Sequence, residues 1–210
     1  MLRRQFPVAR RGVAICFAAL AVLTGVAPEA ARADIIAQNT GEVDSGTTVP
    51  GQSVTTPLGG PWDAITFNFF TNPTTPTASG TLFLLSKEYL GTPAALSSAT
   101  SGFVAQSQSI SGGKYIFDPG VTLQPNTQYF LYANASFLNS GGTHALYPGG
   151  NLYFANSAGA NFGSFANLDA NFRLEGTVVQ AVPEPTSLAL LAVGGLGLLG
   201  YARRQKARAA

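Results

Sequence analysis

The stretch ANLDANFRLEGTV, at residues 166–178, decides the fold class because its apolar and polar side chains alternate as far as Glu175. A period of two places successive side chains on opposite faces, as in a β-strand with one face in a core and the other in water. The stretch therefore predicts a half-buried strand over 166–178. Its polar face would consist of Asn167, Asp169, Asn171, Arg173 and Glu175.

Similar β-rich segments recur along the chain and are separated by turns. The pair Gly112-Gly113 between two of them is typical of a tight hairpin turn. The central part of the chain has no helical periodicity, apart from a short helical turn expected at 92–98, and segments 71–79 and 139–150 are expected to be loops. These features predict an all-β, antiparallel β-sandwich of the jelly-roll type. The expected strands lie at 65–69, 81–85, 103–110, 114–118, 127–134 and 166–178.

One local motif supports the sandwich. The segment LQPNTQY, residues 123–129, is similar to the entry of a strand that carries a tyrosine corner. In that motif the tyrosine ring packs inward and its hydroxyl group bonds back to the preceding turn. We expect Tyr129 to occupy this position. The motif indicates architecture rather than function.

The first 33 residues have the organisation of a secretory signal peptide. A basic region precedes an apolar stretch at 12–26, and two small residues, Ala31 and Ala33, stand where signal peptidase reads its substrate. Cleavage before Asp34 would remove Cys16, so the exported protein would contain no cysteine and no disulfide. The expected domains are a signal peptide at 1–33, a β-sandwich ectodomain at 34–181 and a C-terminal segment at 182–210.

The C-terminal segment combines three elements in a fixed order. Pro183-Glu184-Pro185 is followed by an apolar run at 188–201, which ends in a basic cluster. With the two polar residues before it, the run would extend about 24 Å as a helix, and flanking arginines can reach the interface of a roughly 30 Å hydrocarbon core. We expect one transmembrane helix whose basic end stays in the cytoplasm, which places the rest of the chain outside. This topology signal consists of Arg203, Arg204, Lys206 and Arg208.

These three elements resemble the PEP-CTERM sorting signal of Gram-negative bacteria. The resemblance implies a processing partner, exosortase, which is a membrane-embedded cysteine transpeptidase, and it implies that Pro183, Glu184 and Pro185 are recognised outside the membrane before the helix is removed. It also implies an organism that makes exopolysaccharide. The protein would cross the inner membrane, be anchored there transiently and then reach the cell surface or the extracellular space. Segment 62–132 also resembles the ectodomains often found ahead of this signal.

Charge and residue types exclude several classes of function for the exported part. The formal charge of +2 for the whole chain comes from its ends, since residues 34–181 carry three basic and eight acidic side chains, a net charge of −5. This balance gives nucleic-acid binding no electrostatic basis. The single histidine, His144, lies in a glycine-rich segment, and no serine has the surroundings of a hydrolase nucleophile. We therefore expect no catalytic activity and no cofactor, and metal sites built on His or Cys are excluded by count.

Calcium is the remaining metal candidate. Asn167, Asp169 and Asn171 have the spacing that opens an EF-hand loop, but Phe172 replaces the turn glycine and no glutamate closes the loop. The polar face of a strand explains the same residues, so we expect no metal there. A calcium site elsewhere stays open, near Asp34, Glu42 or Asp44. Paired carboxylates for glycoside hydrolysis also stay open, among Asp63, Glu88, Asp118 and Asp169.

Aromatic rings near expected loops and strand ends are the ligand-binding candidates of the ectodomain, because exposed rings can stack on sugar faces. Packing in the core or at its rim is the alternative for each ring. The sequence thus predicts a non-enzymatic surface or matrix protein, with a carbohydrate-binding module for exopolysaccharide or biofilm polysaccharide as the alternative. The candidate stacking residues are Trp62, Tyr89, Tyr147 and Tyr153.

Overall fold

The structure, a computed structural model, describes residues 33–179 apart from 42–43, 73–74, 142–146 and 167, together with the isolated positions Gly194 and Arg204. The chain divides into two compact units, Met1–Ala31 and Arg32–Ala210, and all described residues belong to the second. The expected signal peptide, including Ala31 but not Ala33, lies outside the described residues, and so does the expected C-terminal segment apart from those two isolated positions. Among the described residues, no helix is both long and apolar enough to cross a membrane.

Thirteen strands and one short 3-10 helix, Pro93–Ala95, make up the regular structure of the described residues. The helix falls within the helical turn expected at 92–98. The strands are β1 (Asp34–Asn39), β2 (Ser45–Thr55), β3 (Trp62–Phe70), β4 (Pro76–Thr77), β5 (Leu82–Leu85), β6 (Phe103–Gln106), β7 (Ser109–Ser111), β8 (Lys114–Ile116), β9 (Gln128–Ala133), β10 (Phe137–Ser140), β11 (Leu152–Ala155), β12 (Gly163–Phe165) and β13 (Phe172–Val178).

The strands form two antiparallel sheets. Sheet one has the order β1-β13-β3-β8-β7, with β4 beside β3, and sheet two has the order β12-β11-β2-β9-β5-β6, with β10 beside β2. Eight strands remain when β4, β7, β10 and the β11-β12 hairpin are set aside. If these eight are renumbered 1 to 8 in chain order, sheet one has the order 1-8-3-6 and sheet two has the order 2-7-4-5. This alternation between sheets is the strand order of a jelly roll. The prediction of an all-β fold with two antiparallel sheets is confirmed.

The core lies between the inner faces of the two sheets. Phe67 and Phe172 of sheet one are fully buried and stack at 5.8 Å between ring centroids. Leu84 and Leu131 of sheet two are fully buried as well. Removing one such phenylalanine side chain costs about 3–5 kcal/mol in comparable cores, so the fold is held by burial rather than by disulfides.

Two local predictions are confirmed. The backbone N–H of Gln124 donates a 3.0 Å hydrogen bond to the hydroxyl oxygen of Tyr129, as expected of a tyrosine corner. The strands β7 and β8 form a hairpin across Gly112 and Gly113, whose φ angles of 58° and 75° lie in the left-handed region. Only glycine adopts two such angles in succession at little cost, which explains why this pair marks the turn.

The predicted strand at 103–110 is wrong as one unit, because it splits into β6 of sheet two and β7 of sheet one. The backbone N–H of Ser107 bonds to Leu82 of sheet two, and the next N–H, from Gln108, bonds to Ile116 of sheet one. A chain that passes from one sheet to the other can keep the two-residue alternation of a strand. The crossing is therefore not visible in the sequence pattern. The predicted loops are also incomplete, since 71–79 contains β4 and 139–150 begins within β10.

The prediction of one strand over 166–178 is wrong in its first half. Strand β13 begins at Phe172, and Asp169 and Asn171 are buried at 1% and 0% exposure instead of facing water. The side chain of Gln52 draws this segment inward, since its Oε1 accepts from the Ala170 N–H and its Nε2 donates to Asp169. Local hydrogen bonding therefore overrides the alternation that the sequence displays.

The outer faces of the two sheets differ. On sheet two, Tyr132 of β9 and Tyr153 of β11 flank Gly51 and contact each other, and Tyr89 and Phe162 from neighbouring loops cover Tyr132. We call these four aromatic residues the aromatic layer. The two covering segments bond to each other, since the Phe162 N–H donates to the Gly91 carbonyl. Sheet one instead presents charged side chains on its outer face, with Lys114 and Arg173 on either side of Glu175.

Candidate functional site

The structure buries two of the four candidate stacking rings. Trp62 is 4% exposed and belongs to the core, and Tyr153 is 1% exposed within the aromatic layer. The Tyr153 hydroxyl donates to Glu88 at 3.0 Å. Neither ring offers a face to solvent, so the expectation of exposed stacking rings is wrong for Trp62 and Tyr153. Trp62 packs into the core and Tyr153 packs against Tyr132 in the aromatic layer, and a single sequence reveals neither contact.

The other two candidate rings are half-buried and serve as structural cross-links. The Tyr89 hydroxyl donates to the Thr92 carbonyl at 2.9 Å, and the Tyr147 hydroxyl donates to the Thr55 carbonyl at 2.8 Å. Burial raises the pKa of both phenols, so they stay protonated at neutral pH. The Tyr147 ring also packs edge-on against Phe172 at 5.3 Å. Glycan stacking by these two rings stays a prediction.

The candidate carboxylates have separate roles. Asp169 accepts from Gln52 and from the Tyr147 N–H through its two different oxygens, at 2.9 and 3.0 Å. Asp118 accepts from the Gly120 N–H within a turn, and Glu88 accepts from Tyr153. Within the described ranges, no group of three or more His, Cys, Asp or Glu residues is placed to hold a metal ion. Asn167, His144 and Glu42 lie outside the described residues.

A cleft of about 420 Å³ opens on the inner face of sheet two, where the β11-β12 hairpin widens that sheet beyond β2. The strand register places the side chains that line the cleft on one face of the sheet. Phe154 pairs with Pro50, Leu152 pairs with Phe165, and Asn139 pairs with Gly46. We call it the inner cleft. Its described lining consists of Asp44, Ser45, Gly46, Thr48, Asn139, Gly141, Leu152, Phe154, Phe165 and Leu168.

Two phenylalanines form the apolar wall of the inner cleft. The half-buried rings of Phe154 and Phe165 stack with centroids 4.4 Å apart and planes only 3° from parallel. Gly163, which pairs with Phe154, makes room for this stack, since a Cβ atom there would lie 2.9 Å from the Phe165 ring. The apolar wall is thus built by the strand register and by one residue without a side chain.

Asn139 and Thr48 form the polar wall. The Asn139 amide nitrogen donates to the Thr48 hydroxyl oxygen and to the Phe137 carbonyl, both at 3.0 Å. These bonds fix the orientation of the amide group. Among the described residues, none donates to the Asn139 amide oxygen and none accepts from the Thr48 hydroxyl. The wall therefore presents a fixed acceptor beside a free hydroxyl donor.

Sequence reasoning missed the inner cleft. It selected Tyr153, whereas the neighbouring Phe154 faces the cleft because successive side chains on a strand point in opposite directions. The run Leu152–Ala155 is β-rich on inspection, but it is not among the strands predicted from the sequence. The pairing that brings Phe154 and Phe165 together depends on a hairpin with a seven-residue connection, which carries no simple turn signal.

The comparisons with known proteins concern the C-terminal segment. Residues 181–206 match the PEP-CTERM protein-sorting motif, a range that includes Pro183, Glu184 and Pro185. Searches of curated proteins and of solved structures found no match to the chain. The motif indicates an exported protein that is sorted through its C-terminus, with an exosortase-type enzyme as its processing partner.

Proposed function

We propose that this protein is a non-enzymatic surface or extracellular-matrix protein, made of a jelly-roll ectodomain that is held briefly at the inner membrane and then released by an exosortase-type enzyme. The observation that carries the proposal is the sorting motif at 181–206, which begins two residues after the last described residue of the sandwich, Val179. The host is a Gram-negative bacterium that makes exopolysaccharide. The signal peptide at 1–33 starts export, and the basic residues after the apolar run remain in the cytoplasm.

The geometry of the sandwich supports this topology. Asp34 of β1 pairs with Gly176 of β13, so the expected signal-peptide cleavage point and the sorting motif leave the ectodomain at the same end. The Val179 N–H still donates to the Pro61 carbonyl at 2.8 Å, which keeps the chain attached to the sandwich up to that point. Three residues then separate Val179 from Pro183. A linker this short holds the ectodomain next to the membrane until processing.

The absence of catalysis is supported by the arrangement of the carboxylates. Both oxygens of Asp169 accept N–H groups of the protein, and the carboxylate is 1% exposed. Glu88 and Asp118 bond to a tyrosine and to a turn, respectively. Glycoside hydrolysis needs two carboxyl groups on either side of one bond, roughly 5–10 Å apart and open to substrate. Turnover of a polysaccharide that Glu88→Gln or Asp63→Asn abolishes would contradict this part of the proposal.

The sorting step can be tested with substitutions in the native host. Pro183→Ala combined with Pro185→Ala should keep the protein in the membrane fraction at its unprocessed mass, because the recognition segment loses both rigid residues. The matched control is Asp118→Ala, which changes an exposed turn and should be processed normally. Normal processing of the double variant would argue against recognition through this segment.

A further inference from the structure

We propose that the inner cleft binds a neutral saccharide, with one sugar ring packed against the stacked pair of Phe154 and Phe165 and its hydroxyl groups bonded to Asn139 and Thr48. The inference does not depend on the sorting proposal, because it concerns residues of the sandwich alone. It also moves the expected glycan site to the inner face of sheet two, away from Trp62 of sheet one and Tyr153 of the aromatic layer, which are buried.

The apolar wall has the shape that a sugar ring requires. A pyranose has a flat face of C–H groups and a rim of hydroxyl groups, so it combines an aromatic platform with polar partners at the edge. Phe154 and Phe165 stack on each other within the cleft and are partly open to solvent. Because each ring restrains the other, little side-chain entropy is left to lose when a ligand binds. Half-exposed stacked aromatic rings also provide large contact area at low cost.

The polar wall matches the chemistry of a hydroxyl group, which can donate and accept at once. The Asn139 amide nitrogen is committed to Thr48 and Phe137, so its oxygen is the group left to accept from a ligand. The Thr48 hydroxyl oxygen already accepts from Asn139, so its hydrogen is the group left to donate. A fixed acceptor beside a free hydroxyl donor selects a ligand with hydroxyl groups over a purely apolar one.

The charge of the side chains that line the cleft favours a neutral ligand. Among the described lining residues, Asp44 is the only charged side chain, and no lysine or arginine lines the cleft. An acidic polysaccharide would meet that carboxylate without a counter-charge, in a domain whose net charge is −5. The volume of about 420 Å³ lies within the roughly 300–1,000 Å³ typical of small-ligand sites. The cleft therefore suits one or two sugar units of a neutral chain.

The test is affinity electrophoresis of the full-length chain in gels that contain laminarin, xylan, galactomannan or dextran as neutral polymers, with alginate as the acidic comparison. We expect at least one neutral polymer to retard the protein and alginate to have no effect. Phe165→Ala should weaken the binding about tenfold or more, because it removes one ring of the stacked pair and with it the restraint on Phe154. Thr48→Val, which has nearly the same volume, should weaken binding without disturbing the rings.

The matched control is Ile110→Ala, which removes an exposed side chain of sheet one and should bind like the parent protein. Urea unfolding of each variant separates lost binding from lost folding, and Thr48→Val keeps the test valid if Phe165→Ala unfolds. The proposal is overturned if none of the four neutral polymers retards the parent protein. It is also overturned if only alginate does so, if a folded Phe165→Ala binds as tightly as the parent, or if Thr48→Val does so when Phe165→Ala fails to fold.

Discussion

The outer faces of the two sheets show two different ways of finishing a β-sandwich. On sheet two, a second layer of aromatic side chains covers the strands, so Tyr132 of β9 is fully buried although it points away from the core between the sheets. On sheet one, Glu175 lies between Lys114 and Arg173 and these three side chains remain partly open to water. The outer face of sheet two is thus buried under aromatic side chains, whereas the outer face of sheet one carries charged side chains in contact with water.

This difference indicates where stability resides. Burying apolar area contributes about 25 cal/mol per Å², whereas a surface ion pair contributes about 0–1 kcal/mol. The exported chain has no cysteine after the expected cleavage point, so no disulfide compensates for a weak core. We therefore expect sheet two, with both faces covered, to carry the larger share of the folding energy.

The largest loss of stability is expected for Tyr132→Ala, which tests whether the aromatic layer stabilises sheet two. The variant should lower the free energy of unfolding by about 3–5 kcal/mol, because it removes the centre of the aromatic layer and leaves a cavity. The Tyr89 N–H would also lose its acceptor, the Tyr132 hydroxyl, at 3.1 Å. Urea unfolding followed by tyrosine fluorescence measures the change. A loss below about 1 kcal/mol would mean that the layer is a loose cover.

Two glycines of β2 provide a matched pair for the next test. A Cβ atom at Gly51 would lie 2.6 Å from the Tyr132 ring, whereas at Gly46 no atom lies within 4 Å. Gly51→Ala should therefore cost about 1–3 kcal/mol through overpacking of the aromatic layer. Gly46→Ala should be close to neutral in the same urea assay. Equal effects at the two positions would contradict the tight packing of sheet two.

Alkaline pH should lower the free energy of unfolding, because the buried tyrosine hydroxyl groups of sheet two resist ionisation in the folded chain. Burial raises the pKa of Tyr132 and of Tyr153 above the ordinary value. In the unfolded chain these groups ionise near pH 10, while the folded chain retains their protons, so their stabilising contribution is complete below about pH 10 and is lost as pH rises further. Urea midpoints between pH 8 and 11 should fall, and the fall should be shallower in Tyr132→Phe. Identical slopes in the two proteins would contradict this account.

The smallest effect is expected on the outer face of sheet one. Lys114→Ala should lower stability by at most about 1 kcal/mol, since the ion pair with Glu175 is partly solvated and screened by salt. The difference from the parent protein should shrink further in 0.5 M salt. A loss as large as that of Tyr132→Ala would mean that the charged face stabilises the sandwich as much as the aromatic layer does.

The strands of sheet one are easier to predict from the sequence than those of sheet two, for a physical reason. Period-two alternation identifies strands with one wet face, such as β13 of sheet one, where Phe172 and Leu174 are buried and Arg173 is partly exposed. The central strand β5 of sheet two is covered on both faces, so it shows only an apolar run, and its outward side chains look like core residues. A glycine pair marked the hairpin at 112–113 because the turn itself needs left-handed backbone angles.

The inner cleft was beyond prediction for a related reason. It depends on which strands are neighbours, and the three partners of β2, which are β9, β10 and β11, all lie far downstream of it in the chain. Phe154 and Phe165 meet only because β11 pairs with both β12 and β2. By contrast, the sorting motif could be recognised from sequence because it is a linear signal, and its match at 181–206 agrees with the expected segment.

We propose that the chain is exported and cut at its C-terminal sorting signal. Mass spectrometry of the C-terminal peptide, from the membrane and extracellular fractions of the native host, is the decisive test of this proposal. We predict extracellular protein whose last residues lie at or near Pro183, Glu184 and Pro185. An intact terminus through Ala210, found in the membrane fraction and nowhere else, would contradict it.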